Sequence, residues 1–249
     1  MDSRIVAALR FHDATVGHVI TTPLRVTGDG VRILRNRSSV YVITQAPGFE
    51  DYVAAFRDPT TPGATTLTLG VRDPSHRYLP RSIALPLPRD VDPAHLEAPQ
   101  SIWQPLRFAL YPSPTGSLGT GWATLRLSIK RAGSDDGLPF AYVRVVRDSD
   151  DALIGVGLSD HRGEALVAVA GVPVTSWNAE STSTSPIVTT IGARVTAYYD
   201  ATAYDEAAGR FPDPDALEDR FSTLPHSNEE TFELASGQTR TRRIDVSLS

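Results

Sequence analysis

Short runs in which apolar and polar residues alternate are the dominant pattern along this chain. Between residues 124 and 129 every second side chain is apolar, with Leu125, Leu127 and Ile129 on one side and Thr124, Arg126 and Ser128 on the other. A repeat of two is typical of a strand with one buried face. Similar runs, bounded by Gly, Pro, Asp or Asn, are VRILRNRSSVYVITQAPG, TTLTLGVRD, FAYVRVVRD and GARVTAYYD. The pattern predicts an all-β protein.

Helical signals are few and short. The best candidate is FPDPDALEDRF, in which Asp213 is a suitable N-cap and Pro214 suits the first helical position. A second short turn is predicted over residues 50–56. Neither segment is long enough to form a layer of its own, so we expect antiparallel β-sandwiches with one or two short helices.

A proline-rich tract divides the chain into two predicted domains. Residues 85–106 contain five prolines, and such tracts behave as stiff spacers between modules. We therefore predict an N-terminal sandwich over residues 1–90, a linker over 91–105 and a C-terminal sandwich over 106–249. A polar excursion, AESTSTSPIVTT at 179–190, is predicted to be an exposed loop of the second sandwich.

Composition excludes several classes of protein. The chain has 249 residues, 41% of them hydrophobic and 21% charged, with a net charge of −5. An acidic balance argues against nucleic-acid binding, which needs a basic face. There is no cysteine, so disulfides and thiolate sites are excluded. No secretory signal or membrane-spanning run is visible, and we expect a cytoplasmic protein, released by lysis if it is released at all.

Two segments of the chain resemble each other. Residues 34–43 (LRNRSSVYVI) align without gaps on residues 158–167 (LSDHRGEALV), so that Asn36 matches Asp160 and Ser39 matches Gly163. In the second copy, SDHRGE lies between two alternating runs and has the composition of a tight turn, since Asp160 accepts hydrogen bonds from amides ahead of it and Gly163 tolerates positive φ. Asp160, His161 and Arg162 are therefore predicted to form a hairpin turn and not an active site.

The same region carries a family resemblance. The order DGLPFAYVRVV, then ALIGVGLSDHRGEALVAVAGVP, resembles a carboxypeptidase regulatory-like (transthyretin-like) β-sandwich, through Gly137, Pro139, Ala141, Val143, Asp160, Gly163 and Gly171. The first half matches more loosely, through Asp13, Gly17, Pro23, Val26, Asn36, Tyr41 and Gly48, with Ser39 in place of the usual glycine. The resemblance implies two such sandwiches in tandem and specifies no chemistry.

Candidate chemistry is sparse. The six histidines form no metal-binding pair, and we predict no catalytic, cofactor or metal residue. Acidic loops at 135–136 and 148–151 contain the oxygen ligands that calcium uses, although carboxylates at turns are common without it. Exposed tryptophans could form a platform on which a sugar stacks. The competing expectation is that Trp122 fills a core and that Trp103 packs against the linker. Trp177 is the one expected to make a contact.

Two interpretations of function remain open, with an enzyme as the weakest third. The first is a non-catalytic structural or adaptor component whose partners are other protein subunits, docked through sheet edges or loops; the run TRTRRIDVSLS is a candidate docking strand. Resemblance to proteins with proline loops such as LPLPRD implies a baseplate, cap or collar part of a phage tail or contractile injection particle. The alternative is a carbohydrate-binding module. An enzyme would need Asp160 beside Asp200 or Asp205.

Overall fold

The structure is a computed structural model that describes residues 4–55, 62–116, 118–119, 121–172 and 190–248. The all-β prediction is confirmed, with 46% of residues in strands and 8% in helices. The chain divides into unit 1, Met1–Ser75 with Pro80–Leu110, and unit 2, His76–Leu79 with Tyr111–Ser249. This division differs from the predicted one because residues 91–105, the expected linker, lie inside unit 1.

Unit 1 consists of two sheets. Its elements are β1 (Ala7–Asp13), β2 (Arg25–Thr27), β3 (Arg32–Arg35), β4 (Val40–Gln45), α1 (Glu50–Ala54), β5 (Thr65–Arg72), β6 (Arg81–Leu87), a 3₁₀ helix (Pro93–His95) and β7 (Leu106–Leu110). One sheet has the order β3-β4-β1-β7 and the other the order β2-β5-β6. Strand β3 is thus an edge strand, paired on one side only.

Aromatic side chains fill the core of unit 1. The ring of Phe11 lies 5.3 Å from that of Tyr41 and 6.3 Å from that of Phe108, measured between centroids. A charged residue is buried with them, since Arg81 is 1% exposed. Its guanidinium donates to the carbonyl of Ala109 at 2.9 Å and lies 5.5 Å from the Phe108 ring. A buried charge needs such partners to offset its lost hydration.

Unit 2 also consists of two sheets. Its elements are β8 (Ala123–Arg131), β9 (Tyr142–Arg147), β10 (Leu153–Leu158), β11 (Glu164–Val169), β12 (Thr190–Tyr198), α2 (Pro214–Arg220), a 3₁₀ helix (Phe221–Thr223), β13 (Glu230–Ala235) and β14 (Thr239–Val246). The sheets have the orders β10-β9-β12-β13 and β11-β8-β14. The apolar positions of β8 that the sequence singled out are buried in the core of this unit, as the alternation predicts.

The predicted helix signals correspond to real elements. Asp213 caps α2 by accepting a hydrogen bond from the amide of Asp215, Pro214 opens the helix, and Leu217 is buried under it. The earlier turn forms α1 and ends at Ala54. The predicted polar loop at 179–190 lies outside the described residues up to position 189, and β12 begins at Thr190.

Two pairings differ from the antiparallel sheets we expected. In unit 1 the first strand, β1, pairs in parallel with the last, β7, and in unit 2 β8 pairs in parallel with β14. Parallel neighbours need a long crossover, which the intervening strands of each unit provide. The run TRTRRIDVSLS, the candidate docking strand, is mostly β14, which pairs with β8 at the edge of its sheet, and its docking role stays a prediction.

Candidate functional site

The segment predicted as a linker is a folded loop with its ends tied together. We call residues 89–104 the pinned loop. The amide of Asp90 donates to the carbonyl of Gln100 at 2.9 Å, and the amide of Ile102 donates back to the carbonyl of Asp90 at 2.8 Å. Because both bonds join the start of the loop to its end, the residues between them project as one closed excursion from unit 1.

Arg89 ties the pinned loop from inside. It is 8% exposed, and its guanidinium donates to the carbonyls of Pro99 and Ser101, the latter at 3.4 Å. Burial lowers the pKa of Arg89 and the carboxylate of Asp90 opposes that shift. One buried cation thus satisfies two backbone acceptors of the loop, which water would otherwise have to reach.

An ion pair and a cap order the tip of the loop. The Nδ1 atom of His95 lies 2.7 Å from Oδ2 of Asp90, and Oδ1 of Asp92 accepts a hydrogen bond from the amide of Ala94 at 2.9 Å. The hydrogen bond and the charge of Asp90 raise the pKa of His95. The amide of Asp92 is the largest cause lowering the pKa of Asp90, followed by the hydrogen bond to His95.

The pinned loop presents apolar side chains to solvent. Val91 is 43% exposed, Leu96 44% and Trp103 47%. These are three of the eight large apolar side chains that are exposed in the described residues. Single exposed apolar residues are ordinary on protein surfaces, whereas several on one ordered element mark an interaction site. The expectation that Trp103 packs against the linker stays a prediction, since about half of this side chain is exposed.

Sequence reasoning missed this loop for a specific reason. Its prolines and charges have the composition of a spacer, and the exposed apolar residues are spread over 13 positions without a period. The available signal was Arg89 followed closely by Asp90, Asp92 and His95, a set of groups that can bond one another. Only the structure shows that Asp90 pairs with His95 and that Arg89 instead reaches the carbonyls of Pro99 and Ser101.

The predicted turn at residues 159–164 forms, but it is not the hairpin we expected, because β10 before it and β11 after it belong to different sheets. Asp160 is 5% exposed and its Oδ1 accepts the amides of Arg162 at 2.8 Å and Glu164 at 3.1 Å. Its Oδ2 pairs with the guanidinium of Arg162 at 2.9 Å. His161 is exposed. Both oxygens of the Asp160 carboxylate therefore take part in holding the turn.

The carboxylates of the two acidic loops that could have bound calcium form ion pairs with arginines. Asp148 lies 3.1 Å from Arg194, which also pairs with Asp151 and lies 3.2 Å from Glu229. Asp135 pairs with Arg243 at 2.6 Å. Within the ranges the structure describes, no group of three potential ligands could hold a metal ion. A guanidinium takes the central place that a cation would need.

The other sequence candidates are dispersed. The enzyme interpretation needs Asp160 and a second acid, such as Asp200, as a pair of carboxylates. In the structure Asp200 pairs with Arg220 and Asp160 pairs with Arg162, so each carboxylate is bound to a different arginine. Trp122 is half-buried, and Trp177 lies outside the described residues.

A cavity of about 290 Å³ on the outer face of the β11-β8-β14 sheet includes Arg126 in its lining. Arg126 donates to the carbonyl of Pro114 at 2.7 Å.

Comparison with known proteins gives a faint likeness. No protein-family model matches the sequence, and no curated protein matches it. Among solved structures, the shaft pilin SpaA of Lactobacillus rhamnosus GG is 9% identical with a TM-score of 0.30, covering 100% of this chain and 98% of that one. A streptococcal ancillary pilin is 8% identical at 0.29, covering 87% and 49%. The Bacillus anthracis TIE protein is 8% identical at 0.28, covering 98% and 34%.

The chain spans about half of that ancillary pilin and about a third of the TIE protein. These TM-scores are too low to assign a pilin's role to this chain. The expectation of a cytoplasmic location is contradicted by the likeness to pilins and is not carried further. No helix among the described residues is long and apolar enough to cross a membrane.

Proposed function

We propose that this chain is a non-catalytic structural component of an extracellular protein assembly and that it docks to other subunits through the pinned loop. The observation that carries the proposal is the exposure of Val91, Leu96 and Trp103 on a loop that Arg89 and the Asp90–His95 pair already hold in place. A preorganised loop loses little conformational entropy when it binds, so its apolar area is available for affinity.

The composition of the loop fits a protein partner. Tryptophan is the side chain most enriched among residues that dominate interface energetics, and it contributes most where polar groups surround it and exclude water. Directly after the exposed Val91 and Leu96, the loop carries the exposed acids Asp92 and Glu97. We infer that the partner surface is apolar at its centre and basic at its rim.

We propose further which kind of assembly contains the chain. A baseplate, cap or collar of a phage-tail-like or contractile injection particle rests on the resemblance of the sequence and on no contact in the structure. The pilin likeness supports a structural role in an extracellular polymer in general terms.

A site-specific crosslink tests the docking function. A photoreactive amino acid at Leu96 is expected to crosslink a neighbouring protein in the particle or cell surface on which the chain is displayed. The matched control carries the same group at Leu153 in unit 2, which is equally exposed at 44%. Equal crosslinking from both positions, or none from either, would overturn the proposal.

One observation favours a second candidate function. Trp103 is 47% exposed on an ordered loop, and an exposed aromatic face also suits stacking against a sugar ring. A carbohydrate-binding module would bind glycans on an array and lose that binding in Trp103→Ala, without any protein crosslink from Leu96. The acids Asp92 and Glu97 on the same loop favour the protein partner.

A further inference from the structure

We propose that the partner of the pinned loop is a second copy of this chain, and that the loop docks on the edge strand β3 of that copy. The inference rests on the proposed docking function and names its partner. It arises because unit 1 also carries a strand edge with exposed arginines, whose charge is opposite to that of the loop.

The second surface is the free edge of β3. Leu34 in this strand is 52% exposed, the highest value among the large apolar side chains of the described residues. Among the described residues strand β3 pairs with β4 alone, so its other edge is open to backbone pairing with a partner. Exposed arginines flank Leu34 at positions 32 and 35, and Arg37 follows in the turn. We call these four residues the basic edge.

The basic edge is partly preorganised. The guanidinium of Arg35 donates to the carbonyl of Thr21 and, at 2.9 Å, to the hydroxyl of Ser39, and it lies 6.0 Å from the ring of Tyr41. Arg35 therefore makes its contacts within its own chain and holds the end of β3 in place. Arg32 and Arg37 are the residues that supply charge to an incoming acidic surface.

Charge decides which surfaces meet. The pinned loop carries the exposed acids Asp92 and Glu97, and the basic edge carries the exposed Arg32 and Arg37. Loop against loop, or edge against edge, would bring like charges together, which costs free energy at an interface. Loop against edge pairs opposite charges. Both surfaces are exposed in one copy, so neither covers the other within a chain.

A loop-to-edge contact has two possible arrangements. In a two-fold dimer the contact is reciprocal, because the loop of each copy lies on the edge of the other. In a heterologous arrangement each copy uses its loop on one neighbour and its edge on the next, and the contact closes into a ring or continues as a filament. The sedimentation coefficient of the associated species distinguishes the two.

Charge reversal tests the pairing directly. Purified full-length chain is expected to associate with concentration in sedimentation velocity, and Glu97→Arg or Arg37→Glu alone should weaken association at least about tenfold. An equimolar mixture of the two variants should associate again, because each then meets a complementary neighbour. Trp103→Ala should weaken association by a similar or larger factor. Leu153→Asp, a matched change of an exposed leucine in unit 2, should leave it unchanged.

The outcomes separate this inference from the function it rests on. A wild-type chain that stays monomeric to about 1 mM would overturn the second-copy inference. Association that survives both single reversals, or that the mixture fails to restore, would overturn it too. If the chain is monomeric while Leu96 still crosslinks a different protein, the docking function stands and its partner is another subunit. If Leu96 crosslinks nothing, both fall. Circular dichroism of each variant shows that the fold is retained.

Discussion

Asn36 and Asp160 hold two turns in the same way. The Oδ1 atom of each accepts hydrogen bonds from the amides two and four residues ahead, at 2.9 Å for both bonds of Asn36 and at 2.8 and 3.1 Å for Asp160. The third residue after each has positive φ, 60° at Ser39 and 85° at Gly163. The faint sequence similarity between the two segments is therefore a shared turn structure, one copy in each unit.

The equivalence predicts which change at position 160 is tolerated. Asp160→Asn should cost below about 1 kcal/mol, because an amide oxygen makes the same two bonds at Asn36 and only a pair with the exposed Arg162 is lost. Asp160→Ala leaves buried amides without an acceptor and should cost about 2–3 kcal/mol. Hydrogen exchange read by mass spectrometry over residues 158–168 measures the local opening free energy. Equal destabilisation by the two variants would show that the charge, and not the turn, is what matters.

A second prediction concerns close backbone packing behind that turn. A Cβ on Gly163 would lie 2.5 Å from the carbonyl oxygen of Ile129 and 2.9 Å from the Cα of Gly137. Positive φ adds strain, so Gly163→Ala should cost about 3 kcal/mol or more. Gly171 has a φ of 72° and open space around it, so Gly171→Ala should show the φ cost alone, about 1 kcal/mol. Thermal unfolding compares the two, and a similar loss from both would mean that the packing gives way.

Arg89 provides a third prediction. Arg89→Met keeps the buried stem but leaves the carbonyls of Pro99 and Ser101 without their donor, which should destabilise the loop by roughly 2 kcal/mol. Arg89→Lys should not restore it, since both bonds come from Nη2 and the shorter lysine side chain does not bring its nitrogen to that position. Limited proteolysis is the measurement, with cleavage between residues 90 and 102 expected to rise in both variants. Rescue by lysine would mean that charge alone holds the loop.

The Asp90–His95 pair predicts how the loop depends on pH. The pKa of His95 is raised in the folded chain. The contribution of its charged form to the stability of the loop is therefore fully present below the ordinary histidine value of 6.5 and is lost as pH rises through the raised value. Because the pKa of Asp90 is lowered, its contribution is present above 3.8 and is lost as pH falls through the lowered value. We therefore expect the loop to be most ordered between about pH 4 and 6.5.

An NMR titration of the His95 imidazole checks this. Asp90→Asn removes the charge that raises the pKa of His95, so the titration midpoint should move down in that variant. A midpoint that does not move would show that the carboxylate does not act on the imidazole in solution.

Calcium gives a fifth prediction. Arg194 stands among Asp148, Asp151 and Glu229, so the carboxylates already have a cation. Adding calcium to about 1 mM should leave the melting temperature unchanged, although loops of this composition elsewhere bind calcium in that range. Arg194→Ala vacates the centre and is the matched comparison. A calcium-dependent rise in the wild-type melting temperature would revive the metal-site interpretation.

The sequence was informative where a local pattern decides the structure. Alternation identified β8, and the Asp213–Pro214 pair located the start of α2, because both depend on neighbouring residues alone. The antiparallel expectation failed for β1–β7 and β8–β14, since partners roughly a hundred residues apart leave no local trace. The docking candidate was missed for the same reason: Arg89 reaches carbonyls ten and twelve residues ahead, and composition alone made that segment look like a spacer.

The parallel pairing of first and last strands gives each unit a mechanical character. When the two ends of such a unit are pulled apart, β1 slides along β7, or β8 along β14, and the hydrogen bonds of the ladder are loaded together in shear. An antiparallel terminal pair would instead peel open one bond at a time. The eight paired positions between β8 and β14, against five between β1 and β7, make unit 2 the one that should yield at the higher force. A chain of such units would transmit tension with little extension.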